Sequence, residues 1–377
     1  MYVPKRVAYT VAAVGRPWPT LTAIAIALIL VVSAGAADFG LPAPEGPAND
    51  RVGFSTSTVW LPAGEGFRYL REARDGGVTW VREDFAWSTI EPSRGQFAWS
   101  RTDALMRNTA QLGLRVLAIA TYTPGWATGH PESDKYPPSD PADFARFVAA
   151  VTGRYGPRGT FWKANPRLAP FPLTAIEIWN EPWLGGFWHG GPDPAGYARL
   201  VRAAATAIKA RDPGMQVLAS GDAYSLGGQS ITDWLDPLLR ADPDLWRSRL
   251  VDAWSVHLYC GAQGPGDTAG PPTGRFDRLL ITRSIAQQAE ADKPIWVTEL
   301  GWSTDPARRD SVDEQTQAEY ERQALALIAT QWSSFVPRSF VYTWAKPSPQ
   351  DQYNLIRPNG SKRPAWQAIQ AAIAAGA

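Results

Sequence analysis

Eight short apolar runs, separated by longer stretches of helical periodicity, fill the chain from Val52 onward. No other feature constrains the fold as strongly. The runs lie at Val52–Thr56, Thr79–Arg82, Arg115–Ala120, Ala175–Trp179, Gln216–Ser220, Ala253–Leu258, Ile295–Thr298 and Phe340–Trp344. Several are nearly unbroken in apolar character, as parallel strands are when both faces are covered. The intervening stretches carry helix signals. Asp140 can cap a helix with Pro141 at its first position, and Phe144, Phe147, Val148 and Val151 then recur at i, i+3, i+4 and i+7. Asp193-Pro194 repeats the device ahead of Tyr197, Leu200, Val201, Ala204 and Ile208, and a further helix is expected from about Glu314 to Gln331. This alternation predicts an α/β protein, a (β/α)8 TIM barrel forming a single domain over residues 51–377.

The connections are unequal. Turn-rich stretches follow the third, fourth and sixth runs, at Thr121 to Ser139, Trp183 to Gly191 and Cys260 to Gly274. All three fall on the C-terminal face of such a barrel, where barrel enzymes build their active sites. A cleft on that face is therefore expected.

The first 50 residues read differently. Lys5, Arg6 and Arg16 precede an apolar run from Leu21 to Val32, followed by Ser33-Ala34-Gly35-Ala36-Ala37. A basic, an apolar and a small-residue region in this order form the layout of a secretory signal. Leu21 to Ala37 is also at the lower limit for spanning a bilayer. Residues 1–37 are thus a cleaved signal or a membrane anchor, and both put the domain in the cell envelope or outside the cell. Residues 38–50, rich in Pro and Gly, read as a linker.

Composition removes several classes of function. The net charge of +1 argues against nucleic acid, which needs clustered excess Lys and Arg. One cysteine, Cys260, excludes an intramolecular disulfide, and three histidines are a poor ligand supply for zinc. No metal and no cofactor is expected. Tryptophan is the outlier, at 18 residues. Its flat face can pack a core or stack against a sugar ring, and Trp126 and Trp302, close after strand ends, are candidates for the second role.

Two glutamates end apolar runs: Glu181 in Ile176-Glu177-Ile178-Trp179-Asn180-Glu181-Pro182, and Glu299 in Ile295-Trp296-Val297-Thr298-Glu299. Alternation sets Glu177, Trp179 and Glu181 on one face if the strand extends that far. Pro182 ends it, so Asn180 and Glu181 sit at its tip. Strands four and seven face each other across the mouth of an eight-stranded barrel. Two carboxyls so placed can cleave a glycosidic bond, with retention at about 5–5.5 Å separation and inversion at about 6.5–9.5 Å. One must be protonated and the other ionised, a difference that repulsion and uneven burial can supply. Glu177, deeper on its strand, reads as a structural carboxylate.

Trp179-Asn180-Glu181-Pro182 resembles the Asn-Glu-Pro signature of clan A glycoside hydrolases, the retaining (β/α)8 group. Val81-Arg82, with Trp87, Ile90-Glu91-Pro92 and Gly95, resembles the strand-two region of family 39 members, and strands two to four are also similar to family 5 cellulase-type domains. The resemblance implies that Glu181 is the general acid/base and Glu299 the nucleophile. It implies that Arg82 steadies the nucleophile, that Asn180 binds the sugar 2-hydroxyl, that Tyr259 of His257-Leu258-Tyr259 contacts the nucleophile, and that Trp344 is an aromatic platform. His257 is open between a site and a core role. The activity implied is retaining hydrolysis of an extracellular or envelope polysaccharide. The alternatives are transglycosylation by the same residues and a non-catalytic carbohydrate-binding barrel.

Overall fold

A computed structural model describes residues 50–223, 233–344 and 352–377. The expected leader (1–37) and the linker up to residue 49 lie outside the described residues. Among the described residues no helix is long and apolar enough to cross a membrane.

Eight parallel strands close into a barrel in sequence order. They are β1 (Val52–Ser55), β2 (Trp80–Ala86), β3 (Arg115–Thr121), β4 (Ala175–Ile178), β5 (Gln216–Ser220), β6 (Ala253–Tyr259), β7 (Ile295–Gly301) and β8 (Arg338–Tyr342). The ring closes where Gly53 and Phe54 of β1 lie opposite Phe340 and Val341 of β8. A helix follows each strand: Ala63–Asp75, Ser100–Leu112, Pro141–Tyr155, Pro194–Arg211, Leu235–Ala241, Arg278–Gln288, Glu314–Leu327 and Pro364–Ala374. The two Asp-Pro starts behave as the sequence predicts. Asp140 accepts from the Ala142 N–H and Asp193 from the Gly196 N–H, so each carboxylate satisfies an N–H that the helix leaves unpaired. The helix expected to run to Gln331 instead passes into a π-helical turn at Ile328–Trp332.

Inside the barrel the floor is apolar. Trp80, Leu117, Ala175, Leu218, Ala253, Trp296 and Phe340 form one buried cluster, separate from the larger core between sheet and helices. Gly53 makes room for it: a Cβ there would come within 2.7 Å of the Phe340 ring. Below the floor, Arg338 lies 4.8 Å from the Trp80 ring and 4.7 Å from the Trp296 ring. Asp50 accepts from Trp80 Nε1 at 2.7 Å and Arg338 Nη2 at 2.8 Å, and also pairs with Arg115. The sequence reading assigned Asp50 to the linker. In the structure three partners dock this residue onto the barrel.

Above the floor the interior turns polar, and β7 is irregular there. Its register against β8 shifts between Val297 and Leu300, and β6 shifts against β7 between Val256 and His257. Consecutive residues of a regular strand point to opposite faces. The irregularity lets both Thr298 and Glu299 meet interior groups, Glu177 and Arg82 respectively.

If the aromatic floor holds the barrel closed, Trp296→Ala should cost about 3–5 kcal/mol of unfolding free energy. Chemical denaturation measures this, and a loss below about 1 kcal/mol would contradict the role.

Candidate active site

Arg82 stands at the centre of the polar layer, 1% exposed. Its Nε donates to Glu177 Oε2 at 2.6 Å, Nη1 to Glu299 and Nη2 to Asn180 Oδ1 at 2.8 Å. Burial opposes its charge, but Glu177 and Glu299 more than offset that and raise its pKa further. Glu177 completes its own hydrogen bonding with Thr298 Oγ1 at 3.1 Å. It is the buried structural carboxylate that its depth on β4 implied.

β4 ends at Ile178, one residue before the expected boundary, and the backbone then turns. Trp179 has φ +67° and Glu181 φ +43°, both in the region that favours glycine. The alternation expected for Glu177, Trp179 and Glu181 therefore breaks at Trp179. Its ring leaves the interior to pack with Phe144 and Trp188, and its Nε1 donates to Phe187 O at 2.8 Å. The same turn leaves Asn180 and Glu181 lining the cleft.

His257 joins the two halves of the site. Its Nδ1 lies 2.9 Å from Glu181 Oε1 and 3.5 Å from Glu299 Oε2. Arg82 Nη2 approaches Nε2 at 3.3 Å, so Nδ1 carries the proton in the neutral ring as well as in the cation. Burial lowers the His257 pKa, but Glu299 and Glu181 raise it further, and the net shift is upward. The end of β6 is held from behind. Asp222 accepts from the His257 N–H at 2.7 Å, while Arg278 donates to the carbonyls of His257 and Tyr259.

Glu299 is ringed by donors. Arg82 and the Tyr259 hydroxyl both bond to it. Burial pushes its carboxyl up, but His257, Arg82 and the Tyr259 hydrogen bond outweigh this and bring it below the ordinary range. Tyr259 itself is pushed well above its ordinary value by burial and by Glu299, so it stays a donor.

These residues open into a cleft of about 450 Å³. Ser55, Thr56, Ser57, Asp84, Ile119, Tyr122, Phe187, Tyr342 and Tyr353 complete its wall, and none of these nine was among the expected site residues. Tyr342 and Asp84 were within reach of the sequence. Both follow from strand alternation once the ends of β8 and β2 are known, since Tyr342 shares a face with Phe340 and Asp84 with Arg82. The three tryptophans chosen as platforms lie elsewhere. Trp344 is fully buried, 4.2 Å from the Trp366 ring, with its Nε1 on Tyr69 O. Trp302 is fully buried against Phe276, with its Nε1 on Gln263 O. Trp126 packs edge-on to Trp87 and donates to Glu91 O. None of the three lines the cleft. Each packs its ring into the protein because an indole N–H that finds a carbonyl can be buried at little cost.

Glu181, His257 and Glu299 are also a group of metal-type donors, with one atom of each within 4.8 Å of the others. The Arg82 guanidinium bonded to Glu299 opposes a cation at that point, and the donors are already engaged with one another. The set fits proton chemistry better than metal binding.

A family model described as beta-galactosidase, from glycoside hydrolase family 42, matches residues 66–143, a stretch that contains Arg82 but neither Glu181 nor Glu299. No curated protein sequence matches the chain. Solved structures do. A family 39 glycoside hydrolase from the gut symbiont Bacteroides cellulosilyticus aligns at 20% identity and TM-score 0.60, covering 81% of this chain and 59% of that one. A glucosidase from Croceicoccus marinus aligns at 17% and 0.62, covering 88% and 69%. Xylanase 10B from Thermotoga maritima aligns at 14% and 0.55, covering 87% and 95%. The chain spans under two thirds of the first of these. At these identities the likeness establishes the (β/α)8 fold, which this chain shares with glycoside hydrolases.

Removing the Tyr259 hydroxyl should raise the Glu299 pKa toward the ordinary glutamate value. Carboxyl titration by NMR in Tyr259→Phe measures it, and an unmoved Glu299 would refute the assignment. The stability tied to this carboxylate is present above its unfolded pKa and is lost as pH falls through the lower folded value. Tyr259→Phe should therefore shift that loss to higher pH.

Proposed function

We propose that the chain is a retaining glycoside hydrolase that cleaves O-glycosidic bonds of an oligosaccharide or polysaccharide outside the cytoplasm. The observation that carries this reading is the pair Glu181 and Glu299. One oxygen of each lies within 4.8 Å of the other, while their surroundings differ. Glu299 takes charged and hydroxyl donors from Arg82 and Tyr259, and Glu181 takes the single imidazole of His257. A separation this short suits a covalent double displacement and leaves little room for the water of an inverting mechanism.

Glu299, kept ionised, attacks the anomeric carbon. The bond to the leaving oxygen breaks as the Glu299–carbon bond forms, and Glu181 supplies the proton that this oxygen needs. His257 Nδ1–H occupies Glu181 Oε1, which leaves Oε2 to carry that proton. Glu181, now a carboxylate, takes a proton from water, whose oxygen displaces Glu299 from the sugar. Arg82 holds Asn180 Oδ1, which leaves the Asn180 amide N–H groups to donate to a sugar hydroxyl. Tyr342 and Tyr353, each ring within 6.1 Å of Tyr259, take the wall position intended for Trp344.

Neighbours named as a glucosidase and a xylanase support a carbohydrate substrate. The basic, apolar and small-residue order of residues 1–37 supports export, with a cleaved leader or an anchor over residues 21–37.

Glu299→Ala should abolish turnover, and azide should restore part of it, giving a glycosyl azide of the opposite anomeric configuration. Glu181→Ala should lose about 10²–10⁴-fold on substrates with poor leaving groups and far less on nitrophenyl glycosides. Full activity of both variants on the natural substrate would refute the mechanism.

A further inference from the structure

Among the described residues Trp60 is the one exposed tryptophan, with 39% of its surface open. It ends the short 3-10 turn Thr58–Trp60 that leaves β1 at the C-terminal face of the barrel. Three contacts fix it. Its Nε1 donates to Asp84 Oδ2 at 3.1 Å, and Asp84 lines the cleft. Its carbonyl accepts from Arg101 Nη1 at 3.2 Å. The turn beneath it is tied to Glu83, a fully buried carboxylate that accepts from the Thr58 N–H at 2.9 Å, the Val59 N–H at 3.3 Å and the hydroxyls of Thr56 and Thr58. Trp60 also walls a second groove of about 440 Å³, with Leu61, Pro62, Arg101 and Asn108. One indole is therefore tied to a wall residue of the cleft and lines a separate groove.

The position has a direction. Glu181, at the end of β4, gives its proton to the leaving group, so the departing part of a substrate lies on that side. In the closed ring β8 lies opposite β4, with β1 beside it. The turn after β1 therefore faces the sugar held by Glu299 and whatever is linked to its far end. An indole fixed at its N–H and open on its surface offers the flat apolar area that the C–H face of a sugar covers. The Asp84 carboxylate has acceptor capacity beyond its bond to Trp60.

We propose that Trp60 and Asp84 form a second sugar subsite on the glycone side, with the indole stacking on the next ring and Asp84 accepting one of its hydroxyls. The substrate is then a chain with at least two units on that side, and a single terminal sugar fills the site only in part. The direction along the chain rests on the hydrolase reading; the contact itself does not.

The test is calorimetric binding of xylo-, manno- and cello-oligosaccharides of two to six units to the Glu181→Gln variant. For the sugar that binds, affinity should rise about tenfold or more with length, as expected where a tryptophan carries binding. Trp60→Ala, added to that variant, should remove the rise. So should Trp60→Gln, which keeps a donor for Asp84 but has no flat face, whereas Trp60→Phe should keep most of it. If either of the first two binds the longer sugars as tightly as Glu181→Gln alone, or if no sugar gains affinity with length, the subsite does not exist. A Trp60-dependent gain in a protein whose wild type hydrolyses none of these sugars would overturn the hydrolase reading and leave the subsite standing. Turnover without length dependence would do the reverse.

Discussion

The contact of Arg82 with Glu177, Glu299 and Asn180 is the interaction on which the rest of the site depends. A guanidinium withdrawn from water is very costly unless its charge and its five N–H groups are matched. Here two carboxylates from β4 and β7 more than offset the charge, and an amide oxygen takes a further N–H. The match works only if strands two, four and seven stand at the right height and the barrel is closed. One side chain thereby couples the closure of the sheet to the geometry of the chemistry. Removing either carboxylate leaves a guanidinium N–H without its acceptor, and removing Arg82 leaves two buried anions. Effects of substitution within this group should therefore not add.

The division of labour between the glutamates follows from what surrounds them. Glu181 lies just past the end of β4 and Glu299 near the end of β7, and His257 touches both. Of the two, only Glu299 is also reached by Arg82 and Tyr259, which with His257 bring that carboxyl below its ordinary range despite burial. The β7 irregularity is what makes this possible. It turns Thr298 and Glu299 inward together, so the strand anchors Glu177 and presents Glu299 within two residues.

The strands, both Asp-Pro helix starts and the two glutamates were legible from periodicity and local chemistry, whereas Arg82, Asn180 and Tyr259 were named through the resemblance to clan A glycoside hydrolases. Arg82, Asn180, Glu181, His257, Tyr259 and Glu299 all reach one cleft or its immediate wall. The tryptophans were not legible. A ring shortly past a strand end can turn toward the cleft or toward the helices, and the whereabouts of a carbonyl for its N–H decides. For Trp344 that carbonyl is Tyr69 O, 275 positions away in sequence. Trp179 escaped for a different reason. Alternation holds only while the backbone is extended, and a positive φ cannot be read from a motif that lacks glycine.

That positive φ has a further consequence. Trp179 and Glu181 hold conformations that cost non-glycine residues about 1–2 kcal/mol each, and they hold them on either side of the amide that Arg82 grips. Glycine at position 181 would relax the backbone and destroy the chemistry in one step. The site is thus a place where thermal robustness and turnover pull in opposite directions. A selection that rewards heat resistance alone would be expected to erode this turn first.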